Sequence, residues 1–174
     1  LIIYSSAMGV ATLSMAWLAQ PFFETINIPL VYFGILWAIL NFSAGLTSFN
    51  AHYFSNKYNK YNTLFYISLA ITISFILLGF NNSFLGLIFI LFIYLVRGLV
   101  TPILRNEINE NTTSNKRATV LSIRSLIIRI SFAISAPILG YIADNYSLAI
   151  SFYSLAIVVG LFSILSAIKL YKIR

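Results

Sequence analysis

The sequence predicts an all-α polytopic membrane protein. Three observations carry this: long apolar runs in succession, very little charge inside them, and basic residues confined to every second connection. Of 174 residues, 60% are hydrophobic and 9% charged. Soluble domains run near 45–50% apolar and about 25% charged, so a soluble fold of this size has too few charges to cover its apolar surface. Strands of a membrane barrel would alternate over about ten residues, and the runs show no such alternation.

Each helix follows from a run of roughly 20 apolar residues, the length that crosses a bilayer. The first, α1, is expected over 1–23 and gives way to "ETINIP". The second, α2, covers 30–54 and ends in "SNKYNKYN", and α3 covers 63–80 and stops at "NNS". Next, α4 covers 84–104 before the polar "RNEINENTTSNKR"; α5 covers 118–141 before "ADNYS"; α6 covers 148–170. These connections are rich in Asn, Ser and Pro, as turn chemistry demands.

Lys57 and Lys60 follow α2; Arg105, Lys116 and Arg117 separate α4 from α5; Lys169, Lys172 and Arg174 follow α6. The other connections carry no Lys or Arg but hold Glu24 and Asp144. Basic loops face the cytoplasm, so both ends of the segment are expected there. The chain begins at Leu1, already inside an apolar run, and reads as one bundle over 1–174 belonging to a longer protein. "QPFFETIN" at the end of α1 and "TPILRNEIN" at the end of α4 echo one another. Two three-helix units of opposite topology are what an inverted repeat would give.

The few polar residues within the runs are candidate site residues, because a charge at the bilayer centre costs about 2.5–3.5 kcal/mol on insertion scales. Neither α3 nor α6 has one in its apolar span, so both can face lipid. Arg97 sits in α4 with Tyr94 and Thr101 at i, i+3 and i+7, followed by Gly98 and Pro102. In α5, Arg124 lies about 10 Å beyond Arg117 and Arg129 about 18 Å, at 1.5 Å per residue. Arg124 can therefore reach back to the cytoplasmic headgroups, while Arg129 is expected to turn into the machinery between helices. Ser125, Ala133, Ala136 and Gly140 share its face, and small residues let another helix approach.

Gly34, Ala38, Asn41, Gly45, Ser48 and His52 form a milder stripe on α2, read as a close helix–helix contact with Asn41 as its polar tie. Arg97, Arg129, Tyr94 and Gln20 are the candidates for a substrate or ion pathway. Asn41, Gly45, Arg124, Pro137, Gly140 and Asp144 are the candidates for helix interface or gating.

Composition also narrows the chemistry. Cysteine is absent and His52 is the single histidine, so neither a thiolate nor a His-cluster metal site is expected, and no cofactor. A serine protease would need its histidine at membrane depth, whereas His52 lies near the end of α2. An enzyme is not expected. The net charge of +7 could signal nucleic acid, but the basic residues sit in short loops, so the partner is the lipid surface.

The segment "RATVLSIRSLIIRISFAISAPILGYIADN" resembles the penultimate helix of many bacterial major facilitator superfamily transporters. The shared features are Arg117-Ala118-Thr119, Ser122, Arg129, Pro137 and Gly140 followed four residues later by Asp144. Arg97-Gly98 with Pro102 looks like the helix before it. Topology extends the resemblance to the whole chain, as the C-terminal six of twelve helices. It implies alternating access around a central cavity, with α1 and α4 lining the cavity, α2 and α5 at the mobile interface, and α3 and α6 at the periphery. "HYFSNKYNKY" after α2 keeps the basic residues of the family's cytoplasmic motif but lacks its Asp, which puts that latch in doubt.

The expected function is a secondary transporter of a small solute in a bacterial inner membrane, with proton-coupled efflux as the leading form. An anionic solute met by Arg97 or Arg129 is the sharper version. No carboxylate lies at midplane depth, so a proton carrier would belong to a missing N-terminal six-helix half. The alternative is a self-contained six-helix solute-binding module, such as a vitamin-capturing subunit.

Overall fold

A computed structural model describes residues 1–57 and 60–172, apart from the side chains at 52, 54–57, 60–61, 162–163, 166–167 and 169–172. His52, the basic residues Lys57, Lys60, Lys169, Lys172 and Arg174, and most of "HYFSNKYNKY" therefore lie outside the described side chains. Among the described residues the chain is all-α: α1 Ile2–Thr25, α2 Phe33–Lys57, α3 Lys60–Phe80, α4 Gly86–Glu110, α5 Arg117–Asn145 and α6 Leu148–Lys172. Five of these, α1 to α5, are long and apolar enough to cross a membrane; the apolar stretch described for α6 is the shorter Leu148–Leu161.

Local chemistry sets the helix ends. After α1, Asn27 adopts a left-handed φ of 57°, which Asn tolerates better than most residues. The Ile28 N–H then reaches the Phe23 carbonyl at 3.0 Å and the Asn27 N–H the Glu24 carbonyl at 2.9 Å, a Schellman closure. Ser147 caps α6, its Oγ accepting the Ile150 N–H at 3.2 Å, and so satisfies a donor that the first turn leaves free. Pro21, Pro102 and Pro137 all lie inside helices, as membrane helices tolerate.

Two C-terminal ends differ most from the sequence expectation. The polar segment after residue 104 stays helical to Glu110, and α5 continues through Asp144 to Asn145. Asn, Glu and Arg mark where a helix leaves the bilayer for water, and with no Gly or Pro among them nothing stops the hydrogen-bond ladder. The stop comes at 111–116, where Arg117 Nε donates to the Asn109 carbonyl at 3.0 Å and the Thr112 carbonyl at 3.2 Å. A cation thus caps the negative end of α4 and fixes the α4–α5 corner.

The core gathers α1, α3, α4 and α6. Phe152 of α6 lies 6.3 Å from Phe75 of α3, nearly stacked, and 6.1 Å edge-on from Phe22 of α1. All three rings are fully buried. Tyr4 of α1 donates to the Leu64 carbonyl of α3 at 2.5 Å, and Ser151 of α6 to the Leu139 carbonyl of α5 at 2.9 Å. The principal partner of α2 is α4. Gly98 sits against the Ala44 carbonyl, where a Cβ would collide with backbone, and Thr47 Oγ1 donates to the Leu95 carbonyl at 2.8 Å. Two helices bury little: 17% of the α2 span and 6% of the α5 span lie inside the structure, against 56% for α1. By contrast α3, expected at the periphery, buries 44% of its span, because α4 and α6 pack on it.

Candidate functional site

An open cleft lies between α4 and α5, the two helices joined at the Arg117 corner. One part, about 400 Å³, is lined by Arg105, Leu121, Ser122, Ser125, Leu126 and Arg129. A second part, about 560 Å³, shares Arg105 and Leu121 and is completed by Thr101, Pro102, Asn106 and Asn109 of α4 with Ser48 of α2. Arg105 thus stands at the junction. The cleft joins two guanidinium groups to hydroxyls and amides, and the Oδ1 of Asn109 is buried with no hydrogen-bond partner among the described residues. This lining can solvate a small polar or anionic molecule, and it differs in kind from the apolar space between α1, α5 and α6, about 230 Å³.

Arg124 and Arg129 exchange the surroundings expected for them. Arg124 does not extend to the headgroups: it is half-buried, and its Nε donates to Ser5 Oγ, tying α5 to α1. Arg129 is exposed on the outer face of α5 instead of packed between helices of this chain. The reason is rotational. Five residues advance a helix by about 500°, or 140° net, so the two side chains leave on nearly opposite faces, and α1 covers only one.

On α4, Tyr94 is fully buried edge-on to Trp37 of α2 at 6.2 Å. Among the described residues its hydroxyl makes no hydrogen bond of ordinary geometry. Arg97 lies over the Tyr94 ring at 5.4 Å from its centroid, a cation–π geometry. The expected stripe does not form one polar face: Tyr94 points into the α2–α4 seam while Thr101 is exposed and bonds back to the Arg97 carbonyl at 2.9 Å. Arg97 and Arg129 do not line the same cleft. Gln20 is exposed near the other end of α1.

The small-residue stripe on α2 is also open. Gly34, Ala38, Asn41, Gly45 and Ser48 are exposed, nothing lies within 4 Å of a Cβ placed at Gly34 or Gly45, and Asn41 Nδ2 donates to the Trp37 carbonyl of its own helix at 2.9 Å. The expected helix–helix contact is therefore not made among the described residues. Packing on α4 uses a different face, through Trp37, Leu40 and Thr47. On α5, Pro137 and Asp144 are exposed and Gly140 has open space beside it.

Arg105, Asn106 and Asn109 were not among the candidates. Their signal was present, since Arg105 continues the Arg97–Thr101 register by one more turn, but a connection read as loop concealed it. Ser5 was missed because a serine in an apolar run carries no sign of its partner.

A search of curated proteins gave no significant match. The family model described as Major Facilitator Superfamily matches residues 1–173. That match spans nearly the whole of an all-α chain with several bilayer-length helices. The chain therefore belongs to the Major Facilitator Superfamily, and it is a multi-pass membrane transporter of that kind.

Proposed function

We propose that this chain is the C-terminal six-helix half of a secondary transporter that moves a small solute by alternating access. The observation that carries the reading is the pair of open faces. Both α2 and α5 are apolar enough to span, yet they leave small and polar residues uncovered: Gly34, Ala38, Asn41 and Gly45 on one, Ser125, Arg129 and Ala133 on the other. Such faces suit a second six-helix half that closes and reopens against them.

Part of the packing fits two inverted three-helix units, although the α5–α6 contact has no comparable α2–α3 counterpart. Exchanging α1 with α4, α2 with α5 and α3 with α6 turns the α2–α4 contact into α5–α1, turns α3–α4 into α6–α1, and leaves α3–α6 in place. The basic connections favour cytoplasmic ends in a bacterial inner membrane. All four carboxylates, Glu24, Glu107, Glu110 and Asp144, lie in last turns of helices. A proton-coupled cycle, with efflux as its direction, would thus draw its relay acid from the other half. Arg97, Tyr94 and Arg129 are the pathway residues in this reading, with Gln20 at the outer end. Asn41, Gly45, Arg124, Pro137, Gly140 and Asp144 serve the moving interface.

This segment contributes no cysteine, so the cycle is testable by labelling once any cysteines of the other half are replaced by serine. Single Ser125→Cys and Gly45→Cys substitutions in the full-length protein, in right-side-out and inside-out vesicles, should react with a membrane-impermeant maleimide from the cytoplasmic side. A transported solute should change that reactivity severalfold. Labelling that no solute alters, with no flux in proteoliposomes, rules the reading out.

A further inference from the structure

We propose that Arg105 and Arg129, with Ser122 and Ser125, form an oxyanion subsite at the cytoplasmic mouth of the α4–α5 cleft, taking the carboxylate or phosphate group of a small solute. The subsite rests on the transporter reading and names the chemistry it would act on. Arg105 and Arg129 line one space of about 400 Å³, floored by the two serines of α5. Among the described residues neither guanidinium is in an ion pair or hydrogen bond. The acids nearby in sequence are engaged or turned away. Glu110 accepts from Asn106 Nδ2 at 2.6 Å, and Glu107 is buried on the inner side of α4.

The like charge of Arg105 also reaches Arg124 on the opposite face of α5, and among the described residues no carboxylate pairs with Arg105 or Arg129. Cations grouped in or beside a bilayer require a counter-charge. Two planar forks flanking hydroxyl donors match the geometry of a carboxylate or phosphate. The adjoining amides of Asn106 and Asn109 and the Thr101 hydroxyl can then hold the rest of a polar solute. The charge could come from a soluble solute or from a phospholipid headgroup, and the test separates them.

The full-length protein in phosphatidylcholine nanodiscs would be titrated with inorganic phosphate, sulfate and succinate, and thermal unfolding followed. At least one of these oxyanions should raise the Tm at millimolar concentration, while chloride at equal ionic strength does not. Arg105→Gln and Arg129→Gln should each weaken the effect about tenfold or more, as loss of a charged hydrogen bond does. Arg129→Lys keeps the charge and should weaken it less, which guards against a folding defect; Lys116→Gln should leave it unchanged. If phosphatidylglycerol stabilises through the same arginines and soluble phosphate competes, the subsite stands with a headgroup as its natural anion.

No arginine-dependent stabilisation by any oxyanion or by phosphatidylglycerol overturns the proposal. So does an equal loss in Lys116→Gln. Solute flux that survives both Gln variants removes the subsite and leaves the transporter. Intact binding without flux of any solute leaves the subsite and removes the transporter.

Discussion

Two helices of similar character meet different fates in this fold. The spans of α1 and α5 have mean hydropathies of 1.5 and 1.9, yet 56% of the first is buried and 6% of the second. In water such a difference would be untenable, because an apolar helix left open would cost its full hydrophobic burial. In a bilayer lipid solvates apolar side chains, so hydropathy decides insertion while small residues and hydrogen bonds decide which helices pack. On α1 the packing devices face the chain: Tyr4 to Leu64, Ser5 to Arg124, and Gly9 against Ile128. On α5 much of the polar and small surface faces away. On the proposed reading, the open helices are the ones whose sequence suits a second half.

The comparison breaks most readily at glycines. Gly98 lies in the α2–α4 seam with the Ala44 carbonyl where its Cβ would be, whereas Gly45, on the open face of the same α2, has no atom within 4 Å of that position. Gly98→Leu is expected to cost about 3 kcal/mol, the upper end for overpacking, since backbone rather than a flexible side chain must move. Gly45→Leu should stay within about 0.5 kcal/mol in unfolding of the full-length protein in detergent, while slowing transport, since in the proposed cycle another half closes on that face. Equal destabilisation by the two substitutions would mean that the open face is packed after all.

Much of this was legible before the structure. Apolar run length fixed the existence and order of the helices, and Pro did not mislead because membrane helices absorb it. The ends of α4 and α5 were not legible. Arg105 to Glu110 has the composition of a loop, but composition reports contact with water, and a helix can emerge into water without ending. Arg105 was therefore set aside as a loop charge although it lines the cleft. The stripe from Gly34 to Ser48 reads as a helix–helix contact, and none is made among the described residues, because sequence shows that a face permits contact but not which chain segment provides it. The two α5 arginines were ordered by depth alone, and the angle around the helix, which decides what each meets, was left out.

That angle gives the next contrast. Arg124→Gln removes the tie to Ser5 and should lower stability by about 1 kcal/mol, a typical charged hydrogen bond less the relief of desolvating a half-buried cation. Arg129 is exposed and packs on no other helix among the described residues, so Arg129→Gln should shift unfolding by under about 0.5 kcal/mol while solute flux falls about tenfold with its charged hydrogen bond. A double-mutant cycle with Ser5→Ala isolates the tie: Arg124→Gln should be non-additive with it and Arg129→Gln additive. A stability loss in Arg129→Gln as large as in Arg124→Gln would erase the distinction between the two faces of α5.

The smallest effects lie within α1 and ask how much its polar groups contribute to the packed side. The Tyr4 hydroxyl reaches the Leu64 carbonyl, whereas Ser6 Oγ, two residues on, is buried with no partner and borders the apolar space between α1, α5 and α6. Tyr4→Phe should cost about 0.6 kcal/mol, the usual worth of an interhelical hydrogen bond in a membrane. Ser6→Ala removes an unpaired hydroxyl and should be neutral or stabilising by a few tenths of a kcal/mol. Opposite signs in parallel melts would show that the buried face of α1 is held by particular bonds rather than by its polarity in general. A loss from Ser6→Ala comparable with Tyr4→Phe would reveal a water or partner group on that hydroxyl, and the space beside it would then be wet.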